Sequence, residues 1–395
     1  MEKNPLRGPD LRKQNKLVVL RYIYSSKRTS QSEVVTATGL KPATIYRIFS
    51  QLEEENLIKV DSNQSDHEAG SQTVRGRRPL QYSLVAEARY AAGVDLTPRY
   101  FVLVVVDFAG NVIFENRVDF PVNVDAECLV REVSREYLEA IRKKRIRKDK
   151  ILGLGIGIPG RVDTVAGISL GYPRIPDMTD FPVAGRISEK IKVPVYVHNN
   201  CSIITMSAYH YGTDVTTPGS LMMLLLRFGI GGGFYSDGRN IEFGDKTIME
   251  IGHMPIDLEG SVCSCGSRGC LDTYLGEDVI IQDLKEVISI ASIKDIDSAM
   301  LGDANVKKIL EGKGRILYKA VRTLFQTFFP DNILLVSRNS LLSQFYVNVI
   351  KSELAKDRVG PPPYLYASNY DPYTYGRGAC DLVWNNYFKF KREDD

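Results

Sequence analysis

The chain has 395 residues, 44% of them hydrophobic and 25% charged, a length beyond one ordinary core and a composition that excludes a disordered or low-complexity protein. Its longest apolar runs, such as FVLVVVDF and SLMMLLL, fall far short of a bilayer span, and the N-terminal MEKNPLRGPDLRKQNK carries charge without an apolar leader core. A cytoplasmic location without membrane insertion is therefore expected. The net charge of +3 is uneven: residues 1–82 carry 14 Lys and Arg against 9 Asp and Glu, leaving 37 against 39 for the remainder, so a polyanion partner would be met at the first end.

In chain order, residues 14–27 (QNKLVVLRYIYSSK) place Leu17, Val18, Leu20 and Tyr24 at helical spacing. Ser30 and Glu33 predict a capping box opening a short helix with Val34, Val35 and Ala37 inward, which Gly39 ends. Pro42 suits the first position of a third helix with Ile45, Ile48, Phe49 and Leu52 on one apolar stripe. Two short helices about a Gly-containing turn, buried by a preceding helix, predict a helix-turn-helix, and the alternation over residues 56–85 adds a two-stranded wing around a polar loop.

Such a winged helix-turn-helix domain, residues 1–85, would place Lys41, Ala43, Thr44, Tyr46 and Arg47 at the exposed start of the third helix, where a recognition helix meets base edges. From the wing, Arg75, Arg77 and Arg78 would track phosphates or a minor groove. A generic three-helix bundle with ordinary surface charges is the alternative for the same pattern.

From residue 86 the pattern turns to long strands. YAAGVDLTPRYFVLVVVDFAGNVIFENRVDF predicts three strands with a hairpin at Ala109-Gly110-Asn111, and SLMMLLLRFGIGGGFYSDGRNIEF repeats the scheme with a hairpin at Asp237-Gly238-Arg239. The repetition predicts a duplicated architecture with a cleft between two lobes: about residues 86–197 plus the C-terminal tail, and about residues 198–380. Alternation of strands and helices makes the class α/β.

Three of the six cysteines fall in GHMPIDLEGSVCSCGSRGC. His253, Cys263, Cys265 and Cys270 are a tetrahedral donor set suited to a closed structural Zn2+ site, with Gly266 and Gly269 allowing the tight turns it needs. Reduced thiols or disulfides are the alternative, which a reducing compartment and the nearby histidine disfavour. Cys128, Cys201 and Cys380 lie in apolar contexts that predict buried thiols.

The order of GVDLT, GLGIGIPGRVD, VPVYVHNN, FGIGGGFYSDG, EIGHMPID and CSCGSRGCLD resembles the ROK family, which joins bacterial sugar kinases and sugar-responsive repressors on a two-lobed actin-like sugar kinase fold. The preceding winged helix matches the repressor branch. The resemblance implies zinc on the His/Cys set and a sugar held by Asn199, Asn200, Glu250, His253 and Asp272, with Gly160 and Arg161 lining the rim. Asp272 stands where the family usually has Glu, one methylene shorter.

Three departures argue against a kinase. Asp95-Leu96 is followed by Thr97-Pro98-Arg99 where the family's kinases have glycines that cradle phosphate, and Pro98 has no N–H to offer. Asn199-Asn200 replaces the kinases' Asn-Asp, and an amide cannot act as a general base. Ser337-Arg338-Asn339 replaces the Gly-Gly turn under the adenosine, while the glycine-rich run Gly229 to Gly233 remains, either as a weak nucleotide signal or as a hairpin corner. The expectation is a non-enzymatic repressor, a homodimer or tetramer, with operator DNA and a sugar effector as partners.

Overall fold

The structure, a computed structural model, describes residues 8–61, 79–121, 124–172, 175–236, 239–240, 249–357 and 361–389. Arg75, Arg77 and Arg78, and the Asp237-Gly238 part of the expected second hairpin, lie outside the described residues.

The N-terminal module runs α1 (Gly8–Ser26), β1 (Arg28–Ser30), α2 (Gln31–Thr38), α3 (Pro42–Glu54), β2 (Ile58–Val60) and β3 (Gln81–Leu84). The capping box forms as expected: Ser30 Oγ accepts from the Glu33 N–H at 3.3 Å and Glu33 Oε2 accepts from the Ser30 N–H at 2.6 Å. Gly39 closes α2 in the left-handed region at φ +67°, and Pro42 opens α3. Ile45, Ile48, Phe49 and Leu52 are all buried.

Three details differ from the expectation. In α1 the buried residues are Val19, Leu20 and Ile23 while Val18 is 45% exposed, because Val18 lies about a quarter-turn off the stripe that faces the core. Ala37 is exposed, since so short a helix buries one residue fully, Val34. The wing is a three-stranded sheet in the order β1-β3-β2, the segment between α1 and α2 supplying the added antiparallel strand.

The body carries β4 (Tyr90–Leu96), β5 (Tyr100–Asp107), β6 (Val112–Asp119), α4 (Ala126–Lys143), β7 (Ile151–Ile158), β8 (Arg161–Asp163), β9 (Ile168–Gly171), α5 (Val183–Ile191), β10 (Val195–Asn199) and α6 (Asn200–Tyr211). There follow β11 (Leu221–Leu226), β12 (Ile230–Ser236), β13 (Arg239–Asn240), α7 (Asp272–Leu275), α8 (Glu277–Leu284), α9 (Ser298–Gly302), α10 (Ala304–Phe328), β14 (Asn332–Ser337), α11 (Ser340–Leu354), β15 (Tyr364–Asn369) and α12 (Pro372–Phe388).

Two five-stranded sheets, β10-β7-β4-β5-β6 and β13-β12-β11-β14-β15, share one topology. In each, the first strand pairs antiparallel with the second and parallel with the fourth. The expected duplication is therefore present strand for strand. Asp107 shapes the first hairpin by accepting from the N–H groups of Ala109 and Asn111, both at 2.9 Å, with Gly110 at φ +84°. Glycines also let helices reach the first sheet: a Cβ on Gly155 would stand 1.9 Å from the Ala379 carbonyl of α12.

α12 packs on β4, β5 and β7 and joins the head to the body. Val19, Leu20 and Ile23 share one hydrophobic core with Phe108, Val383 and Trp384. Tyr24 lies 5.4 Å from the Trp384 ring and 5.2 Å from that of Phe388, and Phe108 stacks on Trp384. Among the described residues no helix is long and apolar enough to cross a membrane.

Candidate functional site

Two antiparallel bridges, Pro255 to Cys270 and Val262 to Arg268, fold the cysteine segment onto itself. Gly266 (φ +88°) and Gly269 (φ +59°) take the left-handed turns expected of them, and a Cβ on Gly269 would stand 1.5 Å from the Asp257 carbonyl. The result brings one ligand atom from each of His253, Cys263, Cys265 and Cys270 within 4.8 Å of the others, a cluster able to hold a metal ion. Cys263 Sγ lies 3.5 Å from His253 Nδ1, and Cys265 Sγ lies 3.7 Å from Cys270 Sγ. The Ser267 backbone N–H lowers the pKa of the Cys265 thiol, whereas burial pushes that of Cys270 up to about 12. All six cysteines are free, and Cys128, Cys201 and Cys380 are buried as expected.

His253 presents its other nitrogen to the cleft: Nε2 is 4.0 Å from a carboxylate oxygen of the exposed Glu250. With Nδ1 on the thiol side and Nε2 on the carboxylate side, one imidazole can serve both roles expected of it. Asp272 opens α7, and its Oδ1 accepts from the Ile230 N–H at 2.6 Å, so the shorter acid is drawn onto the β11–β12 turn. Gly252 and Gly229 make room for it, since a Cβ there would stand 2.3 Å and 3.0 Å from its carboxylate oxygens.

Asn199 caps α6 by accepting from the Ser202 N–H at 3.2 Å and donates to the Gly160 carbonyl at 2.9 Å. It is thus committed to positioning the turn that carries Gly160, itself at φ +83°. Asn200 is buried at the first position of α6. The next residue, Cys201, is close enough to Arg227, Asp95, Glu250 and Asp272 for their charges to act on its thiol, whose pKa burial raises to about 12. The start of α6 thus lies within electrostatic reach of the second lobe's Glu250 and Asp272. Arg161 is exposed on β8, and no described contact brings it into this group. A cavity of about 390 Å³ lies elsewhere, between the end of α6, the end of β15 and the start of α12, and includes none of the expected sugar residues.

The two segments that depart from the kinase pattern, at Thr97 and at Arg338, are bonded within the chain. Thr97 Oγ1 accepts from the N–H groups of Arg99 (3.2 Å) and Tyr100 (2.9 Å) and donates to the Tyr100 carbonyl (2.7 Å), leaving no free donor beside Pro98. Arg338 pairs with Glu277, and Asn339 caps α11 while donating to the Ile296 carbonyl at 2.7 Å. The glycine run begins as a hairpin corner: Gly229 lies in the β11–β12 turn, where its carbonyl accepts from the Arg227 N–H at 3.0 Å. Gly231, Gly232 and Gly233 lie within β12, where a Cβ would meet Cys201, Ile251 and Thr205 at 2.2, 1.9 and 2.2 Å, so Gly231 and Gly233 let α6 lie close on one face of the strand while Gly232 admits Ile251 on the other.

Sequence reasoning missed Arg227, Phe228 and Tyr370, which are buried together beside Asp95. The signal was present: a guanidinium closing the all-buried strand LMMLLL needs a partner.

The ROK family model matches residues 91–371. The chain is 26% identical over 360 residues to the xylose repressor of Bacillus spizizenii, covering 89% of this chain and 88% of that protein. It is 25% identical over 359 residues to the DNA-binding transcriptional dual regulator NagC of Escherichia coli K12, covering 87% and 85%. In three dimensions it resembles the crystal structure of a ROK family transcriptional regulator, a homologue of the E. coli Mlc protein, with a TM-score of 0.79 at 21% identity, covering 96% of this chain and 97% of that one. The likeness extends through the N-terminal module, and the family match runs from the first sheet to the start of α12. By its sequence and by its duplicated two-lobed architecture, the chain belongs to the ROK family.

Proposed function

We propose that the protein is a DNA-binding transcriptional regulator of the repressor type, whose kinase-like body senses a sugar without phosphorylating it. The observation that carries this reading is the single core shared by the helix-turn-helix head and the body, where Val19, Leu20 and Ile23 pack with Phe108 and Trp384. A head fused in this way moves with the lobe that it sits on. Its third helix offers Lys41, Ala43 and Arg47 to solvent with Tyr46 65% exposed, as base and phosphate contacts require.

The sugar would lie between the lobes against Asn200, Glu250, His253 and Asp272, with Asn199 holding the Gly160 turn and Arg161 at the rim. Carboxylates and amides of this kind accept and donate hydrogen bonds to hydroxyls. Asn200 supplies no base, and the Thr97 turn offers phosphate no N–H, which favours binding over transfer. Zinc on His253, Cys263, Cys265 and Cys270 would fix the segment that carries Glu250 and Asp272. In a dimer, lobe movement would change the spacing of two heads that read half-sites about one helical turn, or multiples of it, apart.

The test is a sugar panel read by melting temperature and by mobility shift on the DNA upstream of the coding region. One sugar at 100 times its dissociation constant should add about 2.7 kcal/mol of stability and change operator retention. A flat response across hexoses, pentoses, N-acetyl sugars and their phosphates would transfer control to a protein partner. Steady ATP turnover with any of them would make the body an enzyme.

A further inference from the structure

The duplication sets two equivalent turns face to face, the β4–β5 turn of the first sheet and the β11–β12 turn of the second. They touch through side chains. Asp95, 1% exposed near the end of β4, lies 3.6 Å from Nη1 of Arg227, which is 4% exposed just beyond β11. Tyr370, following β15, donates its hydroxyl to the same Asp95 oxygen, and Arg227 lies over the Tyr370 ring at 4.4 Å. A second contact runs parallel to the first: Arg99 of the first lobe lies over the Phe228 ring of the second at 4.9 Å.

Folding stability alone is a poor reason for this arrangement. Asp95 Oδ1 and Arg227 Nη1 are buried with no hydrogen-bond partner among the described residues, and an incompletely satisfied buried ion pair is often no better than apolar packing. What the pair does supply is an attraction that depends on how the two lobes are oriented, because its members sit on different sheets. It also adjoins the cleft residues. Asp272 holds the N–H of Ile230, three positions past Arg227, and the Glu277 N–H donates to the Arg227 carbonyl at 3.1 Å.

We infer that Asp95, Arg227 and Tyr370 form a latch between the lobes, filling the space between the two facing turns with the chain's own charges and fixing the angle of the cleft in the absence of a ligand. A molecule engaging Asp272 pulls on the backbone of the β11–β12 turn and so acts directly on Arg227. That last step rests on the sugar-sensing reading, whereas the latch itself does not.

Hydrogen exchange on the full-length protein, with neither DNA nor sugar added, tests the latch. Tyr370→Phe removes one bond with little change of shape, and the pair Asp95→Asn with Arg227→Met removes both charges together. In either variant, amides of Thr97, Arg99, Tyr100 and residues 227–230 should exchange at least tenfold faster, while β7 and β14 keep wild-type rates. Millimolar Mg-ATP should leave the wild-type pattern unchanged. Unaltered exchange at both turns in folded variants would sink the latch, as would acceleration spread evenly through both sheets, the mark of a merely structural pair. A wild-type protein whose two turns respond to Mg-ATP would show that the space is open to nucleotide and would equally overturn it.

Discussion

Tyr211 donates its hydroxyl to Asp381 at 2.6 Å and so ties the last residue of α6 to the C-terminal helix. The first residue of α6 is Asn200, proposed above to meet the sugar, and the α12 face beside Asp381 carries Trp384, against which Tyr24 of the head packs. One helix, α6, therefore runs from Asn200 to the α12 face that meets the head. Tyr211→Phe should leave sugar affinity within about twofold while reducing the effect of sugar on operator binding. Calorimetry and mobility shift on the same preparation would separate the two, and an unchanged sugar effect would remove this helix from the coupling.

Asp381 also predicts a pH dependence. Burial pushes its pKa from 3.8 up to about 7, with Tyr211, Arg377 and Lys27 acting in the opposite direction. The folded protein then keeps a proton that the unfolded chain releases near pH 4. Stability from this group is fully present below that point and is lost as pH rises through about 7. A shift of about three units corresponds to at most about 4 kcal/mol. Asp381→Asn should flatten the decline, so that urea unfolding finds the variant gaining on wild type between pH 5 and pH 8. A constant difference between the two proteins across that range would contradict the assignment.

On the head, Tyr46 and Arg47 are exposed while their neighbours Ile45, Ile48 and Phe49 form the core, so changes at the two positions separate binding from folding. Tyr46→Ala should cost operator binding about 1–3 kcal/mol if the ring meets a base edge. Arg47→Ala should weaken all DNA sequences alike and lower the slope of log affinity against log salt by about 1 if it meets a phosphate. Both variants should melt like wild type. Full operator affinity in both would place the recognition surface elsewhere.

Placing an acid at position 200 should not create an enzyme. Asn200→Asp would supply a carboxylate at the start of α6, yet the Thr97 hydroxyl still consumes the N–H groups of Arg99 and Tyr100, and Arg227 still occupies the space beside Asp95. A coupled assay for ADP across a sugar panel should stay at background. Turnover in this variant would mean that the base alone had been missing and that the turns can rearrange around a triphosphate.

These expectations show which parts of the molecule could be read from the chain. The capping box, the Gly39 stop, the Pro42 start and the α3 stripe are encoded within a few residues, and each formed. The cluster able to hold a metal is equally local, its four donors lying between positions 253 and 270. The bond from Tyr370 to Asp95 spans 275 positions, and no periodicity reports such a pairing. The hairpin corner at Gly229 is local, but Gly231 and Gly233 make room for α6 and Gly232 for Ile251, approaches that are tertiary facts. In α1, helical spacing alone admits Val18 to the apolar face, but the rest of the fold sets that face one residue further on, at Val19.

Gly269 offers the sharpest test of what the cysteine segment holds in place. At φ +59° a side chain costs roughly 1–2 kcal/mol in backbone strain alone, and the added Cβ would fall against the Asp257 carbonyl. Gly269→Ala must therefore open the bridge between Pro255 and Cys270 and carry Cys270 away from the other donors. Because Leu271 and Asp272 follow Cys270 directly, the bond from Asp272 to the Ile230 N–H should loosen with it. Purified wild type should hold about one zinc per chain, measured by atomic absorption, and the variant well under half of that. Sugar affinity should fall together with the metal, and treatment of wild type with a strong chelator should reproduce the loss. Metal-free protein that binds sugar as tightly as the loaded form would show that the two carboxylates keep their places without the ion.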